Sequence, residues 1–156
     1  MINKIRLFCI GLLLSAGLTG QEPAYSNLEH PDWQLDYSNA QSIAAANEKP
    51  ILIFFTGSDW CGPCKMLVAD FFESPEFLDN VAVSFVLYEA DFPRNRSLIS
   101  KQQSKSNFKL QRRYGISSYP TIVVVNARGK KLGMMKGYNL LRDTKNHYSF
   151  LDAMLE

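Results

Sequence analysis

The sequence predicts a single α/β domain with a central mixed β-sheet and helices on its faces. Two continuous apolar runs, ILIFF at 51–55 and TIVVV at 121–125, have the pattern of buried strands and alternate with helical segments. Such alternation indicates βαβ crossovers in a sheet. The turn at Arg128-Gly129 is short enough to join two antiparallel strands, so the sheet is expected to be mixed.

The expected order of elements is helix, strand, helix, strand, helix, strand, strand, helix. Ser38 is the predicted N-cap of the first helix, and Pro75 ends or kinks the second. The helices are expected at 38–48, 64–72, the later part of 92–114, and 145–155, and the strands at 51–55, 81–90, 121–125 and about 131–135.

Residues 1–20 have the pattern of a secretory signal peptide. Lys4 and Arg6 precede the apolar run LFCIGLLLSAGL, which small and polar residues follow. A short uncleaved anchor is the alternative. Residues 21–35 form a lead-in segment without periodicity, and residues 36–156 form the domain. We therefore expect a periplasmic protein, or one anchored in the membrane and facing the periplasm.

The charge of the chain gives no sign of a nucleic-acid partner. Loss of residues 1–20 removes Lys4 and Arg6 and no acid, so the formal net charge falls from +2 to zero. A neutral chain favours neither nucleic acid nor a membrane surface, and we expect a monomer. One segment differs: residues 92–113 contain seven basic residues and no acid. It is either a solvated helix face or a docking face for an acidic partner.

The stretch DWCGPCKM at 59–66 contains Cys61 and Cys64, and the only other cysteine, Cys9, lies in the signal-like segment. A structural disulfide here would close a very small loop and contribute little stability. A zinc site needs about four ligands, whereas His30 and His147 are far away in sequence. Copper held by two thiolates remains open. The third interpretation is a redox couple.

The redox interpretation has a physical basis in the position of the pair. Cys61 lies where a buried strand ends and a helix begins, so backbone N–H groups and the helix dipole stabilise its thiolate. Pro63 suits the first helical turn, and Cys64 lies one turn further on. We expect Cys61 to be the exposed nucleophile and Cys64 the more buried resolving thiol. No phosphate-binding loop or serine nucleophile motif is present in the sequence, and no cofactor or metal is expected.

The motif DWCGPCK, together with YGISSYPTIVVV at 114–125, resembles the thioredoxin family. The resemblance runs from Asp36 to Glu156 and implies the thioredoxin fold, a thiol–disulfide oxidoreductase activity and disulfide-containing protein substrates. The signal-like segment, FTGSDWC and the long segment before Tyr114 are most similar to exported bacterial members. The DsbH type of chlamydiae and the C-terminal domain of DsbD are examples.

The resemblance also implies a substrate-binding surface around the cysteines. The Tyr119-Pro120 peptide bond is expected to be cis, with the backbone of Tyr119 pairing with the bound substrate chain. Trp60 flanks the nucleophile, and Gly62 and Pro63 lie between the cysteines. The alternatives are that Pro120 is an ordinary strand-entry proline and that Trp60 is an ordinary half-buried aromatic residue.

The chain departs from the thioredoxin pattern in its proton acceptor. The family has a buried aspartate in the strand before the CxxC, which helps to deprotonate the resolving cysteine, whereas this chain has only Phe54 or Phe55 there. The family's nearby lysine is replaced by Leu87. Glu89, Asp91 and a direct solvent route are the three candidates for this role.

The direction of the reaction is the last expectation. Gly-Pro between the cysteines is the pair of reducing thioredoxins, which favours a disulfide reductase. A disulfide oxidase or isomerase is the alternative, and a copper-carrying or assembly module is a third. An exported reductase requires an electron donor in the membrane, of the DsbD type.

Overall fold

The computed structural model describes residues 33–155, so the predicted signal peptide and most of the predicted lead-in segment lie outside the described residues. Among residues 33–155, no helix has the length and apolarity needed to cross a bilayer. The helices are α1 Tyr37–Asn47, α2 Gly62–Leu67, α3 Lys101–Tyr114 and α4 Lys145–Asp152, and the strands are β1 Ile51–Thr56, β2 Val86–Asp91, β3 Thr121–Val125 and β4 Lys131–Lys136.

The four strands form one mixed sheet in the order β2-β1-β3-β4. Strand β1 is parallel to β2 and antiparallel to β3, and β3 is antiparallel to β4. Every residue of β1 is buried, as the continuous apolar run predicts. One face of the sheet packs against α2 and α4 and includes both cysteines, and the other packs against α1 and α3. The predicted element order and mixed sheet are confirmed.

The predicted start of the second strand is wrong. Residues 81–84 are helical, ending in a 3-10 turn at Ala82–Ser84, and the strand begins only at Val86. The buried residues Val81, Ala82 and Phe85 recur at helical spacing, while Val83 points to solvent. The apolar composition of this segment therefore comes from a helical turn followed by a strand.

The predicted N-cap of the first helix is also wrong. Asp36 caps α1 by accepting a hydrogen bond from the backbone N–H of Asn39 at 2.9 Å. The hydroxyl of Ser38 donates to the same carboxylate and so supports the cap. These hydrogen bonds, with that of Ser38 first, lower the pKa of Asp36, which keeps the capping carboxylate charged at neutral pH.

The helix after the cysteines begins two residues earlier than expected and changes its winding. It runs as α2 to Leu67 and continues in wider π-type turns over Val68–Phe72. These turns bury the adjacent residues Phe71 and Phe72 together. At the C-terminus, α4 ends at Asp152, three residues before the predicted end.

Trp33 and Gln34, in the segment expected as a lead-in, pack with the folded domain. The Trp33 ring lies 5.2 Å from that of Phe72 and 6.2 Å from that of Phe54. Gln34 pairs with the edge strand β2 through its backbone, which donates to Leu87 O at 2.8 Å. The segment adds a single bridge to the outer edge of the sheet.

Candidate active site

Cys61 and Cys64 form a disulfide at the N-terminus of α2, with a Cα–Cα distance of 5.3 Å. Cys61 is the N-cap residue, and its sulfur accepts a hydrogen bond from the backbone N–H of Cys64 at 3.3 Å. Pro63 occupies the first turn, where the absence of its N–H leaves no helical hydrogen bond unmade. The geometry thus directs a backbone donor at the sulfur of Cys61.

The expected exposure of Cys61 is wrong for the disulfide form. Cys61 is only 3% exposed and Cys64 only 1%. Both cysteines belong to the apolar cluster on the α2 face of the sheet, against which Tyr119 also packs. Cys64 is the more deeply buried of the two, as expected, but the difference is small while the sulfurs are joined.

Trp60 folds back over the loop that precedes Cys61. Its indole N–H donates to the carbonyl oxygen of Phe92 at 2.8 Å, and the residue remains 37% exposed. A Cβ atom at Gly57 would overlap the indole ring, so glycine at that position allows the close approach. The Trp60 ring stands almost perpendicular to that of Tyr119, with centroids 5.7 Å apart.

The Tyr119-Pro120 peptide bond is cis, the isomer that the resemblance implies. The side chain of Gln111 donates to the Tyr119 hydroxyl oxygen at 2.7 Å, and burial raises the pKa of Tyr119. Pro120 is buried, and its carbonyl oxygen accepts a hydrogen bond from Gly137 N–H at 2.8 Å. Gly62 has open space where a side chain would lie. Tyr119 packs against the cluster that contains both cysteines, and its ring meets that of Trp60, the residue before Cys61.

A cavity of about 330 Å³ lies against Cys64, and we call it the polar cavity. Its polar lining residues are Thr56, Ser58, Lys65, Glu73 and Glu89. Glu89 is 1% exposed, whereas Glu73 is at the surface. The buried carboxylate of Glu89 and Cys64, the cysteine expected to resolve mixed disulfides, therefore line the same cavity.

Of the two phenylalanines where the resemblance implies an aspartate, only Phe54 lies on the face of the sheet that includes the cysteines. Phe55 belongs to the opposite face. The register pairs Phe54 with Glu89 of the parallel strand β2. A buried carboxylate is therefore present beside the family's usual position, but on the neighbouring strand.

Asp91, the other candidate acid, is engaged in the loop before the cysteines. Its carboxylate accepts hydrogen bonds from the backbone N–H of Ser58 at 2.9 Å and from the Ser58 hydroxyl at 2.6 Å. Burial raises the pKa of Asp91 in spite of these hydrogen bonds. Asp91 does not line the polar cavity. It lines a second cavity on the other side of Ser58.

This second cavity, of about 440 Å³, lies on the Trp60 side of the disulfide, and we call it the aromatic cavity. Its principal lining residues are Trp60, Phe92, Arg96, Ile99, Phe108 and Tyr119. Phe92 and Phe108 were not among the residues that the sequence motifs indicated. The available signal was the presence of two aromatic residues in an otherwise polar and basic segment.

The remaining sequence candidate within the described residues, His147, lines neither of the two cavities at the cysteines. His147 is buried in the core, where its ring packs against Phe71 and Tyr138, and burial lowers its pKa. His30 lies outside the described residues. Within residues 33–155, no three His, Cys, Asp or Glu side chains are grouped to hold a metal ion. A surface depression of about 630 Å³ lies around Pro50 and Arg128, and neither Cys61 nor Cys64 lines it.

A CxxC disulfide at a helix N-terminus, beside a cis-proline on a mixed α/β sheet, has the arrangement of thiol–disulfide oxidoreductases. A model of the thioredoxin-like domain matches residues 37–147. The chain belongs to this thioredoxin-like family, and its fold is the thioredoxin fold.

Individual relatives give the same result. The disulfide bond reductase DsbH of Chlamydia pneumoniae is 34% identical over 112 residues, which are 72% of this chain and 64% of the relative. The thioredoxin-related protein DsbJ of the same organism is 30% identical over 122 residues, 78% of this chain and 35% of the relative. A solved structure of a DsbH oxidoreductase is similar with a TM-score of 0.68 at 29% identity, covering 88% of this chain and 92% of that chain. The chain thus spans less than two thirds of the length of the two curated relatives.

Proposed function

We propose that this domain is an exported disulfide reductase that uses the Cys61–Cys64 dithiol. The observation that carries the proposal is the hydrogen bond from Cys64 N–H to the sulfur of Cys61 at the start of α2. In the reduced protein the same donor stabilises a thiolate on Cys61, because the N–H and the helix N-terminus both favour negative charge. Cys61 is therefore the attacking thiol.

The reaction consists of two thiol–disulfide exchanges. The Cys61 thiolate attacks one sulfur of the client disulfide, the client S–S bond breaks, and the other client sulfur leaves as a thiolate that takes up a proton. Cys64 then loses its proton and attacks the sulfur of Cys61 in the mixed disulfide. The second client thiol leaves, and the Cys61–Cys64 disulfide remains, so the client gains two electrons and two protons.

Glu89 is the proposed acceptor of the Cys64 proton. Cys64 is 1% exposed, so bulk water does not reach it freely, and the polar cavity is the space that adjoins it. Glu89 is the buried carboxylate on that space, and Lys65 and the exposed Glu73 are the other charged groups that line it. A positioned carboxylate can take the proton as the sulfur attacks.

The reducing direction is supported by Gly62-Pro63 between the cysteines and by the similarity to a relative named disulfide bond reductase. Tyr119, the residue before the cis-proline, is apolar at its ring and supplies no cation to stabilise a thiolate. Oxidation or isomerisation of clients is the competing direction, because the same exchange runs both ways. In the reducing direction each cycle leaves the Cys61–Cys64 disulfide, so an exported reductase requires a membrane electron donor of the DsbD type to regenerate the dithiol. The signal-like residues 1–20 are consistent with export.

Insulin reduction with dithiothreitol as the electron source tests the proposal. We expect the wild-type domain to accelerate the precipitation of insulin chains, and a Cys61→Ser variant to give only the uncatalysed rate. A wild-type domain that fails to reduce insulin but oxidises a reduced, unfolded client would reject the reductase direction. Export is tested separately, by locating the mature protein in periplasmic and membrane fractions of a cell that expresses the full chain.

A further inference from the structure

The aromatic cavity has a continuous wall of rings that begins beside the nucleophile. Trp60 directly precedes Cys61, and the centroid of its ring lies 5.7 Å from that of the Tyr119 ring. The ring centroids of Tyr119 and Phe92 are 5.4 Å apart, and those of Phe92 and Phe108 are 5.3 Å apart. The wall therefore starts at the residue next to Cys61.

Hydrogen bonds hold the wall in place without a ligand. Gln111 fixes the Tyr119 hydroxyl from α3, and the Trp60 indole N–H is fixed on the carbonyl oxygen of Phe92. The cavity is thus formed in advance, which lowers the entropy cost of binding a client side chain.

The loop over the cavity is held by a carboxylate clasp. Asp59 accepts hydrogen bonds from the backbone N–H groups of Arg94 at 2.9 Å and of Asn95 at 2.8 Å. The hydrogen bond from Asn95 N–H is the main cause that lowers the pKa of Asp59, so the clasp remains charged at neutral pH. Asn95 in turn accepts a hydrogen bond from Ser97 N–H.

The wall is apolar and open to solvent. Phe108 is 48% exposed and Trp60 is 37% exposed, although both are large hydrophobic residues. A volume of about 440 Å³ lies in the range of side-chain and small-ligand pockets and accommodates an aromatic or large aliphatic side chain. Burial of these ring surfaces is the favourable free-energy change that such an occupant would provide.

The rim of the cavity is basic. Arg96 lines it, and the Arg94 guanidinium lies 5.4 Å from the centroid of the Trp60 ring. On α3 the exposed residues Lys105, Lys109 and Arg112 each follow directly after a lining residue.

Two acids lie near the cavity. Asp91 is buried and accepts hydrogen bonds from Ser58. Asp59 is exposed and its charge interacts with that of Arg94, so it offsets part of the rim charge but leaves Arg96 and the cations of α3. Residues 92–113 contain no acid at all. The charge of the rim is complementary to acidic residues on the client.

We propose that the aromatic cavity binds an aromatic or large aliphatic side chain of the client polypeptide close to its cysteine, and that acidic residues next to that side chain pair with the basic rim. This inference rests on the proposed function and names the class of polypeptide that the reductase prefers. It also assigns the basic segment 92–113 to client docking in preference to a merely solvated helix face.

Disulfide-linked model peptides test the preference directly. One set carries Phe at one, two or three residues from the cysteine, followed by Glu. A second set carries Ala followed by Glu, and a third carries Phe followed by Lys. We expect kcat/KM for the best Phe-Glu peptide to exceed that for its Ala-Glu counterpart by about tenfold, as expected for burial of one large apolar side chain. We expect Phe108→Ala to bring this ratio close to one. Leu132→Ala, which removes a similarly exposed apolar side chain from β4, is expected to leave the ratio unchanged.

The charge contribution has its own matched pair of variants. Arg96→Gln is expected to lower the preference for Glu over Lys by about twofold to fivefold, and Arg128→Gln, in the distant turn, to leave it unchanged. Added salt is expected to reduce the same preference, since exposed charge pairs are screened. Equal kcat/KM for the Phe-Glu and Ala-Glu peptides, or a ratio of these two values that survives Phe108→Ala, overturns the proposal.

A second readout separates this proposal from the reductase activity itself. Reduction of a small disulfide without side chains, such as hydroxyethyl disulfide, reports the exchange chemistry alone. If that reaction is absent, the proposed function has failed. Binding of cysteine-free Phe-Glu and Ala-Glu peptides to the oxidised protein, measured by calorimetry, still tests whether the aromatic cavity binds the side chain. Equal affinities for the two peptides would reject this proposal.

Discussion

The two sides of the Cys61–Cys64 disulfide differ in chemistry. The polar cavity adjoins Cys64 and includes the buried Glu89, whereas the aromatic cavity adjoins Trp60 and Tyr119 and has a basic rim. The hydrogen bonds between Asp91 and Ser58 lie between them, since Ser58 lines the first cavity and Asp91 the second. We propose that the two sides have different roles, with proton transfer to and from Cys64 on one side and client recognition on the other.

The cysteines give the largest expected effect and test which side meets the client. Cys64→Ser removes the resolving thiol, so catalytic turnover should be abolished and mixed disulfides through Cys61 should accumulate. Cys61→Ser should also abolish turnover but trap no client. The check is non-reducing electrophoresis of trapped species from the expressing cell. Trapping by Cys61→Ser alone would reverse the two roles and the two sides.

Glu89→Gln gives the next largest effect and tests the polar cavity. The variant keeps the size of the side chain but cannot accept the Cys64 proton, so we expect insulin reduction at pH 7 to fall by about 100-fold, at the lower end for a positioned proton acceptor. The deficit should shrink above about pH 9, where an ordinary thiol with a pKa of about 8.5 ionises without help.

Glu73→Gln is the matched control for Glu89→Gln, because Glu73 is an exposed carboxylate on the same cavity. We expect it to stay close to the wild-type rate. Equal losses in the two variants would show that Glu89 is not the specific acceptor of the Cys64 proton, and that the overall charge of the cavity or solvent assists its removal.

Removal of the partition between the cavities should have an effect of intermediate size. Asp91→Ala deletes the acceptor of two hydrogen bonds and leaves the partly buried Ser58 N–H without it, so we expect a loss of about 2 kcal/mol in the free energy of unfolding. Ser58→Ala removes only the hydroxyl bond, and a loss of about 1 kcal/mol is expected. Urea titration followed by fluorescence measures both values. An Asp91→Ala variant as stable as wild type would contradict the structural role of the partition.

The sequence predicted the fold and the cysteine site more fully than it predicted the two cavities. Continuous apolar strands and the CxxC at a strand–helix junction are local patterns, and β1, β3 and α2 lie close to where they were expected. The roles of Glu89 and Asp91 could not be separated, because they depend on which neighbour each strand residue faces after the sheet has formed. Phe92 and Phe108 meet only through tertiary packing, and no periodicity joins them.

The remaining differences in the fold have similar causes. The segment Val81–Phe85 is apolar enough for a strand but buries its residues at helical spacing, and composition alone does not distinguish these two cases. Asp36 and Ser38 are both good capping residues, and the choice between them depends on where the chain leaves the sheet edge at Gln34.

The smallest expected effect separates the pH dependence of stability from that of turnover. Burial lowers the pKa of His147 in the folded domain, so its neutral ring contributes stability above the unfolded pKa of about 6.5, and this stability is lost as the pH falls through the folded pKa. His147→Gln should therefore lose less stability than wild type between pH 7.5 and 5.5. Thermal unfolding measures the difference, with His30→Gln as the control. An unchanged pH dependence in His147→Gln would refute the assignment.

The reduction potential of the Cys61–Cys64 couple tests the central claim, that this domain donates electrons to client disulfides. Equilibration of the full mature domain against glutathione buffers, with alkylation of the free thiols, measures it directly. Thioredoxin has a potential of about −270 mV and the oxidase DsbA one of about −120 mV. We predict a value nearer to that of thioredoxin. A value above about −180 mV, the potential of protein disulfide isomerase, would contradict the reductase account and favour an oxidase or isomerase.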